Sequence, residues 1–183
     1  MILPSTHGAA GIFTFYLLSW IFKIPFDNKL FIFAVCMSDI ADIDFIFYGI
    51  RHTFKLNRYS HRHRKTLLHS TPIYWIITIF IYFFGNSVYA LVFSVSAFSH
   101  LFLDTISSGC GIRWLWPFKD TRYRIKLIKP GLERFSEFQL LKIVKGKGSD
   151  QWLKKFFLWN NFQLWFELAM TIFFFAIIIK KLV

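Results

Sequence analysis

The stretch Ser96-Ala97-Phe98-Ser99-His100-Leu101-Phe102-Leu103-Asp104-Thr105-Ile106 carries the end of a run of 38 residues, Thr66 to Leu103, without a single Asp, Glu, Lys or Arg. Asp104 follows that run directly. His100 and Asp104 are four residues apart, so on a helix they sit one turn apart on one face. An imidazole and a carboxylate at that spacing can grip one metal ion. A carboxylate at the edge of so apolar a segment is costly unless something pairs with it. The alternative is an ordinary helix end, with Asp104 in water and His100 hydrogen-bonded in the core. As one helix the uncharged run would be about 57 Å long at 1.5 Å per residue, far more than a bilayer requires. Gly85-Asn86-Ser87 is a turn signal inside it. The run is therefore expected to form two antiparallel helices, about 70–84 and 87–106.

Three further apolar segments flank this pair, at about 9–24, 30–50 and 156–179. The fold class they define is all-α: an integral membrane helical bundle of about five hydrophobic helices, forming one membrane-embedded domain over residues 1–183. Composition agrees. Of the 183 residues 55% are hydrophobic and 21% aromatic, against about 45–50% apolar residues in soluble domains. The first segment has no basic residue before Lys23, so it is expected to be a retained span rather than a cleaved signal. Cys36 and Cys110 form no CxxC pair, which excludes a zinc ribbon or a disulfide framework.

The formal charge of +12 is confined to loops. Six Lys/Arg lie in 51–65 and twelve in 113–155, together 18 of the 22 in the chain. Five spans put both loops on one side, and the positive-inside rule makes that side cytoplasmic, with the N-terminus inside and the C-terminus outside. The expected localisation is thus the cell membrane, multi-pass. Anionic lipid headgroups are the natural partners of the basic loops. No nucleic-acid partner is expected, because topology already accounts for the charge.

The longer loop has structure of its own. Trp114 and Trp116 suit a membrane interface. Tyr123, Ile125 and Leu127 alternate with Arg124 and Lys126, as in a short strand that a β-hairpin would complete. Leu132, Phe135, Leu140, Leu141 and Val144 are spaced as the apolar stripe of an interfacial helix.

The topology brings the polar residues to one depth. His7 precedes the first span, and Asp39, Asp42 and Asp44 lie in the inner half of the second. His61, His63 and His69 occupy the inner loop and the start of the third, and His100 and Asp104 the inner end of the fourth. His52, in the basic loop, is expected to be solvated. Three acids within six residues repel one another, and a divalent cation removes that penalty. The alternative is pairing with Arg62, Arg64 or Lys65. Asp42 and Asp44 are two apart and cannot share a helical face, so either the helix breaks or one of them acts behind the other.

Four elements in this order resemble a known family, the YdjM/YbcI-like membrane-bound metal-dependent hydrolases. They are Thr6-His7-Gly8, Asp42-Ile43-Asp44, His63-Arg64 with His69-Ser70, and Ser99-His100-Leu101-Phe102-Leu103-Asp104 continuing to Trp116-Pro117-Phe118. The family usually has Pro before Asp-x-Asp, where this chain has Ala41, and one residue fewer between its two histidines. His61 and His63 therefore remain alternative equivalents. The resemblance implies metal-dependent hydrolysis of an unassigned substrate.

The function expected is a multi-pass membrane hydrolase holding one or two divalent cations, zinc foremost and manganese or magnesium otherwise. The metal candidates are His7, Asp42, Asp44, His63, His69, His100 and Asp104. Seven candidates exceed the four ligands of one tetrahedral zinc. Asp44 or Asp39 could serve as general base, and Arg64 with Arg62 and Lys65 could steady a phosphate. An interfacial site favours an ester or phosphoester, lipid-linked substrates included. Two other classes compete: a non-catalytic structural or regulatory membrane protein, and a cation- or proton-coupled transporter.

Overall fold

The computed structural model of the chain describes residues 4–44, 47, 50, 66–106, 111–126, 131–136, 139 and 162–182. Among these, five α-helices and one two-stranded sheet form: α1 (Pro4–Phe22), α2 (Asn28–Ser38), α3 (Thr71–Phe84), α4 (Ser87–Ile106), β1 (Thr121–Lys126), β2 (Gly131–Ser136) and α5 (Phe162–Leu182). Two 3-10 turns, Ile40–Asp42 and Leu67–His69, complete the set.

Local chemistry sets the helix boundaries. Asp27 caps α2 by accepting from the Lys29 amide at 2.9 Å. Pro72 lies in the first turn of α3, where its missing N–H costs nothing. Gly85 ends α3, and the Asn86 side chain accepts from the Val88 amide at 2.8 Å to open α4. The turn read at 85–87 thus separates two antiparallel helices as expected.

Two boundaries differ from the hydropathy reading. α1 begins at Pro4 rather than near residue 9, so His7 lies inside the helix and not ahead of it. The apolar segment 30–50 is not one helix. Regular α2 stops at Ser38, and Asp39 N–H to Cys36 O (3.2 Å) and Asp42 N–H to Asp39 O (2.9 Å) tighten the chain into a 3-10 turn. The last helix is described from Phe162 to Leu182, and residues 156–161 of the expected segment lie outside the described residues.

α4 is the central element and packs against α1, α2, α3 and β1. Two apolar clusters hold it there. Ile12, Phe15 and Leu18 of α1 meet Leu30, Phe31 and Ala34 of α2 and Val92 of α4, with Phe174, Ile177 and Ile178 of α5 packed alongside. Tyr74 of α3 meets Phe93, Ala97 and Leu101 of α4, closed by Ala41 and Ile112. α1 and α2 approach closely at Gly11, where a Cβ would lie 2.5 Å from Ser38 Oγ and 2.8 Å from the Ala34 carbonyl oxygen. Only glycine fits there.

The outward faces are apolar. Trp75, Ile76, Ile79, Phe80 and Phe83 of α3 and Ile172, Phe175 and Ile179 of α5 are exposed. Among the described helices α4 is long and apolar enough to cross a membrane; α2 and α3 are apolar but shorter.

The hairpin expected after Trp116 is present, with β1 antiparallel to β2 and Ile125 opposite Leu132. Arg124 pairs with Glu133 across it. Leu132 and Phe135 consequently belong to β2 and not to an interfacial helix; cross-strand pairing at period two prevailed over their i, i+3 spacing. Leu140, Leu141 and Val144 lie outside the described residues.

Candidate metal centre

Four chain segments end at the same pole of the bundle. α1 contributes His7 from its first two turns, the 3-10 turn after α2 contributes Asp42, the turn before α3 contributes His69, and the last two turns of α4 contribute His100 and Asp104. His7, His69, His100 and Asp104 are all 0% exposed. The Asp42 side chain is 17% exposed. Asp104 is therefore not a solvated helix end.

The polar atoms form a closed ring. Asp42 Oδ1 lies 3.7 Å from His69 Nε2 and 3.8 Å from His100 Nε2. Asp104 Oδ2 lies 3.7 Å from His69 Nε2 and 3.9 Å from His100 Nε2. Nitrogen and oxygen alternate around four edges of nearly equal length. His7 joins from the side, with Nε2 at 3.8 Å from the other Asp104 oxygen and its ring stacked on His100 at 3.7 Å between centroids.

These edges are too long for hydrogen bonds. Two ligands each about 2.1 Å from a tetrahedral ion stand about 3.4 Å apart, close to the edges observed. The Nε2 of His100 is buried and makes no hydrogen bond among the described residues, which in an apolar interior is costly unless a further partner is shared. The donor set of imidazoles and carboxylates suits zinc and neighbouring divalent ions. Among the described residues, three groups offer ligand atoms within 4.8 Å of one another: His7 with Asp42 and His100, His69 with His100 and Asp104, and Asp42 with Asp44 and His69. The residues fit a cation.

A second layer aims the first. His100 Nδ1 lies 2.6 Å from the Ser38 carbonyl oxygen, so it carries the proton and donates, turning Nε2 inward. His69 Nδ1 donates to Asp44 Oδ2 at 3.0 Å, with the same result. Thr66 Oγ1 donates to that same Asp44 oxygen. Both histidines that close the ring are thus fixed in one tautomer. Trp114 secures the two helix ends: its carbonyl accepts from the Thr71 amide at 3.1 Å, and its Nε1 donates to Thr105 Oγ1 at 3.0 Å.

Of the residues singled out from sequence, His7, Asp42, Asp44, His69, His100 and Asp104 come together. Asp39 caps the end of α2 beside them and belongs to none of the three groups. His61, His63 and Arg64 lie outside the described residues. Sequence reasoning missed the Ser38 carbonyl and Thr66, which carry no signal of their own. It also missed a buried link from Thr6 Oγ1 to Glu167 Oε2 at 2.6 Å. Glu167 was visible as the sole acid in an apolar segment, and that was the available hint.

Fold and site together define a mostly helical protein with a buried His/Asp cluster, able to accept a cation, at one end of its helices. The family model for the YdjM inner membrane protein matches residues 1–182, and the chain belongs to that family of inner membrane proteins. No curated protein and no solved structure matches it.

Proposed function

We propose that this chain is a multi-pass inner-membrane hydrolase whose His/Asp centre binds one or two divalent cations and cleaves an ester or phosphoester at the cytoplasmic interface. Zinc is the first choice, manganese or magnesium the others, and lipid-linked substrates suit the location. The observation that carries this reading is the alternating ring of His69, Asp42, His100 and Asp104, with edges of 3.7–3.9 Å in a buried setting. Three acids, Asp42, Asp44 and Asp104, crowd three imidazoles there, and a divalent cation offsets most of that negative charge.

His7, Asp42, His69, His100 and Asp104 would hold the cation. When bound, such a cation acidifies water toward neutrality and polarises the carbonyl or phosphoryl oxygen of a substrate. Asp44 is engaged by His69 and Thr66, which leaves it orienting the imidazole rather than taking protons. Asp39 is then the carboxylate that accepts the proton of the attacking water; its Oδ1 is buried and makes no hydrogen bond among the described residues. Arg64, with Arg62 and Lys65, would steady a phosphate. The partly exposed Asp42 marks the side from which substrate enters.

The apolar outer faces of α3 and α5 and the membership in an inner membrane family support five membrane-embedded helices. Charge supports the orientation: the two loops with 18 of the 22 basic residues inside, against anionic headgroups, the N-terminus inside and the C-terminus outside. Clustering of the ligands at one end of the helices disfavours a transport pathway, which would spread them along the bilayer normal.

Complete burial of four of the five ligands favours a second reading, a structural cation in a closed shell. Metal analysis of purified wild type beside His100→Ala and Asp104→Ala tests both readings. One or two equivalents in wild type and loss in both variants are expected; equal content in all three contradicts the centre. Turnover of phosphomonoester, phosphodiester and carboxyl-ester substrates by the loaded wild type then separates enzyme from structural site.

A further inference from the structure

Glu167 of α5 is 0% exposed, and it is the only acid in a helix otherwise uncharged up to Lys180. A carboxylate that deep in such a helix needs a role that repays its burial. Its Oε2 accepts from Thr6 Oγ1 at 2.6 Å, across 161 residues of chain. One turn further along α5, Thr171 Oγ1 meets Ser5 Oγ at 2.7 Å. Another turn on, Phe174 lies against Gly8, where a Cβ would come within 2.5 Å of its ring. Positions 167, 171 and 174 share one helical face. Their contacts fall on residues 5, 6 and 8, and the residue they bracket is His7.

A helix's first turn is its least constrained part, because its amides lack intrahelical partners and its end frays. His7 nevertheless has to hold a fixed position, with Nε2 3.8 Å from Asp104 and its ring stacked on His100. α5 supplies no atom to the ring of ligands itself. We infer that Glu167 is a positioning residue for the metal centre: through Thr6 it fastens the α1 turn that presents His7 to α5, so that the site is complete only when the C-terminal helix is docked. The inference rests on the metal reading above. A buried hydrogen bond to a carboxylate is strong and directional, which suits a latch in apolar surroundings.

The test is zinc affinity of the full-length protein in detergent, by competition with a chromophoric chelator, on the folded monodisperse fraction. The proteins are wild type, Glu167→Gln, Glu167→Leu, Thr6→Val and His100→Ala. Glu167→Leu and Thr6→Val are expected to weaken zinc binding about 10–100-fold, as loss of an outer partner of a ligand does. Glu167→Gln retains a side-chain carbonyl to accept from Thr6 and is expected to stay within about threefold of wild type. If Glu167→Leu does not fold, Thr6→Val, which removes one hydroxyl at nearly constant volume, decides. Wild-type affinity in Thr6→Val, or a loss in Glu167→Gln as large as in Glu167→Leu, overturns the inference. A wild type that takes up no zinc, or a His100→Ala protein that binds as tightly as wild type, overturns the metal reading instead.

Discussion

His69 and Asp44 are joined through the imidazole Nδ1, which donates to Asp44 Oδ2 at 3.0 Å and leaves Nε2 facing Asp42 and Asp104. The two aspartates of Asp42-Ile43-Asp44 therefore do different work, one at the centre and one behind a histidine. Asp44→Ala is expected to weaken metal binding about 10–100-fold while keeping the wild-type stoichiometry. Asp42→Ala, which removes a ring atom, is expected to abolish it. Isothermal titration with zinc separates the two outcomes.

Asp39 is assigned the proton-accepting role because Asp44 is already occupied. Asp39→Asn is expected to retain metal and lose about 10²–10⁴-fold in turnover, the usual worth of a general base. Metal content and hydrolysis measured on one preparation check this; metal lost in step with activity would contradict it.

A cation that bridges four chain segments stabilises the folded state by mass action. At a free concentration of about 100 times its dissociation constant the gain is about 2.7 kcal/mol. Thermal unfolding should therefore fall on chelation in wild type and recover on adding zinc. Asp104→Ala should show neither change.

Gly11 and the Ser38 carbonyl connect helix packing to the site. A methyl at Gly11 meets Ser38 Oγ and the Ala34 backbone, whereas at Gly8 its nearest neighbours are atoms of the Phe174 ring. Gly11→Ala is expected to cost about 1–3 kcal/mol of stability by overpacking. It should also weaken metal binding, because His100 leans on the displaced Ser38. Gly8→Ala should cost less. Chemical denaturation and chelator competition on the pair provide the comparison.

Orientation is tested by reporter fusion at the C-terminus and by protease access to the 51–65 loop. The C-terminal reporter is expected to act outside, and the loop to be cut only in inverted vesicles.

Much of the site could be read from spacing. His100 and Asp104 share a helical face by arithmetic, and His7, Asp42 and His69 fall near the ends of the apolar segments that the fold brings beside them. The division between Asp42 and Asp44 could not be read, because it depends on a helix that stops at Ser38 inside a continuous apolar segment. Nothing local marks that stop; packing of Ala41 and Ile112 against Leu101 favours the tighter turn. The hairpin was legible in the alternation around Tyr123, yet Leu132 and Phe135 mimic a helical stripe and belong to its second strand. The link between Thr6 and Glu167 spans almost the whole chain and has no periodicity to betray it.

The central claim is that imidazoles and carboxylates from α1, α4 and the two 3-10 turns share one cation. X-ray absorption at the zinc edge of the loaded protein tests it most directly. Two to three imidazole nitrogens with carboxylate oxygen at about 2.0–2.2 Å, and no sulfur near 2.3 Å, are expected, with that spectrum lost in His100→Ala. A sulfur-dominated shell, or a wild-type spectrum unchanged by His100→Ala, would contradict it.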